Sequence, residues 1–322
     1  MLRSVIFSRP AKLFISIALI AAVIWQVGPH AVVPETIRWS WIVVAIALFL
    51  LSNIFGAFQW NLLLRCAGLR LPVFTVIRAY FIALFFNNFL IGNVGGDVLR
   101  AIDVRTRVER GQGKTEAAIA TIVMDRFLGF FTMMCFAVGA ALFATERLES
   151  GAILFILLAA FVVVGTLITS RRVGLFADRW IIRILPARLA VTIVRLRAGF
   201  VAMRTSPVVL AQAFAISAFV QGIRIIVHYV CSLAIGLDIP FLYFVTFIPL
   251  VSVAAAIPIS FGGLGTREWA AVGLFKTVGV GGAGIVAMEL IAHGVTLVAS
   301  LPGAIDFVTR KNTSRDVSKE SI

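Results

Sequence analysis

The chain has 322 residues, of which 61% are hydrophobic and 14% are charged, whereas an ordinary soluble domain is about 45–50% apolar. One soluble core of this size could not bury so much apolar surface. Because lipid can solvate that surface, the composition predicts an integral membrane protein and excludes a soluble catalytic domain.

The net charge of +14 is also compatible with nucleic-acid binding, but the basic residues lie between long apolar runs. We therefore predict membrane lipids and anionic inner-leaflet headgroups as partners, and no nucleic acid. Cys66, Cys135 and Cys231 are too few and too widely spaced for a disulfide framework or a zinc site. The three histidines, His30, His228 and His293, do not form a cluster in the sequence, and no cofactor or metal is predicted.

Apolar runs of about 20 residues predict membrane-spanning helices. We place six of them at 13–33, 41–64, 115–145, 152–170, 207–236 and 282–307. The first run follows a basic start and also resembles a signal peptide, but it is long for one and no convincing cleavage site follows. We interpret it as a retained helix.

Two further apolar stretches, 73–96 and 241–262, end in polar, glycine-rich breaks at 87–97 and 258–268. If both stretches enter the bilayer and return to the same side, 23 Lys and Arg residues face the cytoplasm and three face outside. Arg126, Arg224 and Arg267 remain at membrane depth. The positive-inside rule favours this re-entrant topology, with both termini cytoplasmic, in the cell membrane.

The two halves of the sequence resemble each other. Three matches occur in the same order in both halves. The first is between the segments 68–72 and 236–240, each of which runs from Gly to Pro. The second is between Gly95-Gly96 with Arg100 and Gly262-Gly263 with Arg267, and the third is between Met124-Asp125 and Met288-Glu289. The offsets are 168, 167 and 164 residues. We predict an all-α polytopic membrane protein with six spanning helices and two re-entrant hairpins, arranged as an inverted repeat of residues 1–150 and 151–310, followed by a disordered cytoplasmic tail at 311–322.

Inverted repeats with broken helices are typical of transporters, and half-helix N-termini suit an anion such as a lipid phosphate. The candidate substrate-binding residues lie at the two breaks and within the helices. They are Asn87, Asn88, Gly95, Gly96, Asp97, Arg100, Asp125, Arg126, Arg224, Ser260, Gly262, Gly263, Arg267, Glu268 and Glu289.

A structural alternative exists for each group. The glycine pairs could serve tight helix packing, and Arg100 and Arg267 could pair with Asp97 and Glu268. Asp125 and Glu289, with His228 and His293, could form a structural network between the halves. Residues 170–206, basic with interleaved large apolar side chains, predict interfacial helices or, alternatively, a solvated linker.

The breaks resemble the signature segments of the lysylphosphatidylglycerol synthase membrane-domain family, also described as flippase-like. The resemblance rests on Asn87, Asn88, Gly95, Gly96, Asp97 and Arg100, on Asp125-Arg126, and on the segment from Ser260 to Glu268, and it spans about 10–310. The first turn departs from the family pattern, and Phe261 stands where proline is common. The resemblance implies lipid translocation, with a headgroup that varies among members.

We therefore expect a flippase that moves a polar lipid, phosphate-bearing or glycosylated, between leaflets, with no catalytic residues. One alternative is a membrane-embedded transferase that acts on a lipid-linked substrate, with Asp97, Asp125 or Glu268 as base. Another is a non-catalytic membrane partner of a lipid-modifying enzyme. Homo-oligomers are compatible with each.

Overall fold

The structure is a computed structural model that describes residues 36–89, 95–107, 114–143, 156, 158–163, 207–257, 260 and 263–309. Within these ranges the chain is helical apart from short turns and connecting segments. The predicted span at 13–33, the segment 170–206 and the tail 311–322 lie outside the described residues. Of the predicted span at 152–170, the described residues 156 and 158–163 are helical.

The described residues contain eight helices of 11 or more residues, in two sets of four. The first set is α1 (Trp39–Cys66), α2 (Val73–Phe89), α3 (Gly95–Arg107) and α4 (Lys114–Phe143). The second set is α5 (Pro207–Ala234), α6 (Phe241–Ala256), α7 (Thr266–Lys276) and α8 (Gly282–Thr309).

Four of these helices, α1, α4, α5 and α8, are long and apolar enough to cross a membrane. A 28-residue helix is about 42 Å long and exceeds the ~30 Å hydrocarbon core. These helices confirm the predicted spans at 41–64, 115–145, 207–236 and 282–307. The apolar helices α2 and α6 have 17 and 16 residues and are too short to do the same without help from neighbouring segments.

The second set repeats the first at a fixed offset. Helices α1, α2 and α4 each begin 168 residues before their counterparts α5, α6 and α8. The first residues of the three pairs are Trp39 and Pro207, Val73 and Phe241, and Lys114 and Gly282. The predicted match between Asp125 and Glu289 has an offset four residues shorter. Because four residues are about one helical turn, the two acids still project from similar faces, one turn apart.

The ends of α1 and α5 are closed by the same turn. Gly68 and Gly236 have φ values of 78° and 75°, in the left-handed region that favours glycine. The next residue in each case, Leu69 or Leu237, donates its N–H to a carbonyl five residues earlier, at 2.9 and 3.0 Å. This pattern is a Schellman motif, and it turns the chain into the following short helix.

The equivalent long helices α1 and α5 run antiparallel along each other. The N–H of Arg38, at the start of α1, donates to the carbonyl of Ala234, at the end of α5, at 2.8 Å. Leu63, near the end of α1, shares a buried cluster with Ala213, near the start of α5. Between the sets, α8 also packs on α2, and α4 also packs on α6.

Two glycines allow backbone-to-backbone contact on α2. A Cβ added to Gly96 of α3 would lie 2.0 Å from the Ala83 carbonyl oxygen, and one added to Gly303 of α8 would lie 2.0 Å from that of Phe81. No side chain fits in either place. Helix α2 is therefore held between α3 and α8.

We expect Gly303→Ala and Gly96→Ala to destabilise the fold by about 1–3 kcal/mol each, because the added methyl group forces two backbones apart. Thermal unfolding of the purified protein in detergent measures the effect. Gly294→Ala is the matched control in α8, since a Cβ there meets no atom within 4 Å. It should be neutral or slightly stabilising, because alanine favours helix over glycine. Equal effects of Gly294→Ala and Gly303→Ala would contradict the packing role.

Candidate substrate cavity

A cavity of about 220 Å³ lies between the two sets of helices. Its lining includes Gly56, Gly129, Gln221 and Thr296, which are each within four residues of the midpoint of α1, α4, α5 or α8. The cavity therefore lies at the level where spanning helices cross the middle of a bilayer. Its walls also carry charged side chains from several helices, which is costly in an apolar surrounding unless the charges are compensated.

Four charged residues on α3 and α4 form one ion-pair network at this cavity. Arg100 contacts Asp97 at 3.3 Å and Asp125 at 3.0 Å, and Arg126 contacts Asp97 at 2.9 Å. Asp97 therefore bridges two guanidinium groups. Asp125 and Arg126 point about 100° apart as neighbours on one helix, but both line the cavity because α3 supplies a partner for each.

Arg100 is enclosed by aromatic rings and carboxylates, although its Nε has no hydrogen-bond acceptor. Its guanidinium carbon lies 4.0 Å from the ring centre of Trp60 and 4.7 Å from that of Tyr80, and its side chain is 4% exposed. Two aromatic faces and two carboxylates satisfy a cation well. This arrangement corresponds to the structural alternative for Arg100, and it places the residue at the level of Asp125, inside the bundle, rather than in a cytoplasmic loop.

Polar residues of α1 that were not predicted as site residues support this network. Gln59 donates to Asp125 at 3.0 Å, and the Trp60 indole N–H donates to the Thr121 hydroxyl at 3.1 Å. Gln59 and Trp60 are buried. The signal was available, because a glutamine inside an apolar span is rare and usually faces a partner or a cavity.

Arg224 of α5 is held differently. It donates to the Asn53 side chain at 3.3 Å, and its guanidinium lies 6.0 Å from the ring of Phe49. Among the described residues no carboxylate lies within ion-pair distance of it, and its Nε has no hydrogen-bond acceptor. Arg224 therefore brings to the cavity a positive charge that no described acid neutralises.

A second group of ionisable residues comes from α5, α7 and α8. Glu289 is buried, and its Oε2 lies 3.6 Å from His228 Nε2 and 4.0 Å from Arg267 Nε. His228 and Arg267 line the cavity, whereas Glu289 lies behind them. These contacts are longer than hydrogen bonds, in contrast to the tight network on α3 and α4.

The two breaks are closed by their own side chains. The Gly96 amide donates to the Asn87 side chain at 2.8 Å, and the Gly265 amide donates to the Glu268 carboxylate at 2.6 Å. In the second break the Ser260 and Thr266 hydroxyls lie 3.1 Å apart. The amides expected to bind an anion at these two positions are thus already occupied.

Positive backbone angles explain the glycines of the second break. Gly263 and Gly265 have φ values of 80° and 86°. A Cβ on Gly263 would also lie 3.0 Å from the Cβ of Ala255 in α6. Glycine is therefore required both for the turn and for the close approach of the chain to α6.

The structure places most of the charged candidate residues on the wall of one cavity. The described glycines of the breaks, with Ser260, Glu268 and Glu289, lie outside that wall. The cavity is lined by Asn87, Asn88, Asp97, Arg100, Asp125, Arg126, Arg224 and Arg267. Gly95, Gly96, Ser260, Gly263, Glu268 and Glu289 do not line it, and Gly262 lies outside the described residues. The cavity also includes Gln59, Tyr80, Gln221 and His228, which were not among the predicted substrate-binding residues.

An apolar groove of about 540 Å³ adjoins the cavity between α3 and α4. Its walls include Val98 and Ile102 of α3 and Val123 of α4, which are about half exposed. The groove and the cavity share Asp97, Arg126, Phe130 and Ala256. A cavity with charged walls at mid-depth thus adjoins an apolar groove and has four lining residues in common with it.

The sequence matches a known family over almost its whole length. The model of the lysylphosphatidylglycerol synthase transmembrane region matches residues 11–303. The chain is also 24% identical over 294 residues to a UPF0104 membrane protein of Pyrococcus horikoshii. The aligned region covers 83% of this chain and 87% of that protein. With its apolar helices, this match makes the chain a membrane protein that belongs to the lysylphosphatidylglycerol synthase transmembrane-region family.

Proposed function

We propose that this protein moves a polar lipid, phosphate-bearing or glycosylated, between the two leaflets of the cell membrane. The observation that carries the proposal is the polar cavity at mid-depth joined to the apolar groove between α3 and α4. A water-soluble solute needs only the cavity. A lipid needs both, because its headgroup and its acyl chains must be solvated together while the headgroup crosses the hydrocarbon region.

Arg224 gives the cavity its preference for a headgroup with a negative charge or many acceptor oxygens. A guanidinium without a carboxylate partner at this depth gains most from a ligand that accepts its N–H groups. Arg126 lies where the cavity meets the groove, so it stands at the boundary between the headgroup and the chains.

The arrangement of the helices supports an inverted repeat with two re-entrant hairpins. Helices α1 and α5 are equivalent by the 168-residue offset and run antiparallel, as corresponding helices of two oppositely oriented halves would. The exchanged packing of α2 with α8 and of α6 with α4 is what a two-fold relation between the halves requires. Transporters with such repeats bind their substrates near the midplane, between the repeats.

The test of transport uses the purified full-length protein in vesicles with fluorescent phosphatidylglycerol or a fluorescent diglycosyl lipid, and measures exchange between leaflets. We expect Arg224→Gln to lower the rate of leaflet exchange of the transported lipid about tenfold or more, since a charged hydrogen bond contributes about 1.5–3 kcal/mol. The exposed loop residue Arg70 supplies the control, and Arg70→Gln should transport like wild type.

Arg100→Ala should act differently from Arg224→Gln. It removes the partner of two carboxylates in the bundle and should lower the unfolding temperature, which identifies Arg100 as part of the scaffold.

If wild-type protein moves neither lipid faster than empty vesicles, the transport proposal fails. A chemically altered lipid in the mass spectrum would instead favour the embedded transferase.

The inverted arrangement is tested by side-specific labelling in cells. In a variant without Cys66, Cys135 and Cys231, single cysteines are placed at Arg107, the end of α3, and at Thr277, just after α7. Both positions are exposed. We expect an impermeant thiol reagent added outside to label Thr277→Cys and not Arg107→Cys. Labelling of both from the same side would contradict the inversion.

A further inference from the structure

A buried carboxylate without a hydrogen-bond donor lies beside the cavity. The side chain of Glu289 is 0% exposed, and neither of its oxygens accepts a hydrogen bond. A carboxylate in that state is strongly disfavoured, because burial removes its hydration without replacing it. The nearest groups that could compensate it are His228 of α5 and Arg267 of α7.

The contacts of His228 determine which of its ring nitrogens carries hydrogen. Nδ1 lies 2.9 Å from the carbonyl oxygen of Arg224, one turn earlier in α5. A carbonyl oxygen can only accept a hydrogen bond, so Nδ1 must be the donor. In a neutral ring Nε2 is then an acceptor, and it faces Glu289 Oε2 at 3.6 Å. Two acceptors that face each other repel, and a proton on either of them removes that repulsion.

The charge of this pair controls the charge that Arg267 offers to the cavity. With a shared proton, His228 and Glu289 together carry no net charge, and the positive charge of Arg267 is available to an anion. Without that proton, Glu289 is a bare carboxylate, and Arg267, whose Nε is 4.0 Å away, neutralises it. Proton binding at the pair and anion binding at Arg267 therefore favour each other.

Other ionisable groups surround the pair. Glu268 of α7, Cys231 of α5 and His293 of α8 interact electrostatically with Glu289. Glu268 is held by the Gly265 amide, and Cys231 and His293 are buried. Arg224 lies one turn from His228 and lines the cavity. Among these described neighbours, His228 contacts both the cavity and the Glu289 carboxylate, so it offers the path by which a proton arrives.

We propose that the His228–Glu289 pair binds one proton from the cavity and couples that proton to binding of the lipid headgroup anion at Arg267. The inference rests on the proposed lipid transport. A hydronium ion in the cavity gives its proton to the pair and becomes water, and the headgroup anion then pairs with Arg267. When the anion leaves, Arg267 returns to Glu289 and the proton passes back to water. Proton movement thus accompanies lipid movement.

The experiment measures leaflet exchange of fluorescent phosphatidylglycerol in phosphatidylcholine vesicles that contain the full-length protein, with the same pH on both sides. Below saturating lipid, the wild-type rate should fall as pH rises from about 6 to about 8, by up to about tenfold per pH unit for one linked proton. Glu289→Gln cannot release a proton, so its rate should not vary with pH. Asp238→Asn, at an exposed acid in the loop before α6, should keep the wild-type pH dependence.

Two further measurements keep the test independent of how well one variant folds. His228→Gln should also lose the pH dependence. Infrared difference spectra of the wild type between the two pH values should show the C=O band of a protonated carboxylic acid at the lower pH, and His228→Gln should weaken it.

The outcomes separate the two proposals. If the wild type moves the lipid with no pH dependence, or if Glu289→Gln and His228→Gln keep the wild-type dependence, the proton assignment is overturned while lipid transport stands. If the wild type moves no lipid at any pH, the proposed function fails and this inference fails with it.

Discussion

The ion-pair network of Asp97, Arg100, Asp125 and Arg126 is the interaction on which the rest of the structure depends. Its two acids and two arginines sum to no net charge, so the bundle can hold them where isolated charges would be prohibitive. Asp97 bridges both arginines at 3.3 and 2.9 Å. The network therefore fixes α3 to α4, places the first break at the level of the cavity, and contributes Asp97 and Arg126 to the walls of both the cavity and the groove.

The two sets of helices share their order and their turns but differ in electrostatics. The first set has short ion pairs and hydrogen bonds around Asp125, from Arg100 and Gln59 at 3.0 Å each. The second set has Glu289 with its nearest partners at 3.6 and 4.0 Å. A group with satisfied partners rigidifies the fold, whereas a group with distant partners can change partner at low cost. The first set thus acts as scaffold, and the second supplies the groups that respond to a ligand.

Glycine has two separate roles in the fold. Gly96 and Gly303 allow α3 and α8 to touch the backbone of α2, which is a demand of packing. Gly263 and Gly265 adopt positive φ angles, which is a demand of the turn. The side chains of Asn87 and Glu268 then accept hydrogen bonds from the amides of Gly96 and Gly265. Broken helices of this kind are stable because their polar backbone groups find partners within the protein.

The sequence by itself determined the membrane class, the positions of the four described long helices and the two breaks. Each of these follows from local properties: apolar length, glycine clusters and a matching pair of turns at Gly68 and Gly236. It also singled out the charged residues inside the helices, because such residues are rare there. The opposite orientation of the two repeats in the membrane, and their boundaries at 1–150 and 151–310, stay predictions.

The partners of those charges were decided only by the tertiary structure. Arg100 and Arg267 have similar sequence surroundings, yet Arg100 lies between Trp60 and Tyr80 while Arg267 faces the cavity. Gln59 meets Asp125 across 66 residues of sequence, and the groove that adjoins the cavity lies between α3 and α4, beside the ion-paired Asp97 and Arg126. Contacts between distant segments depend on how the helices pack, and no local pattern encodes which side chains will meet.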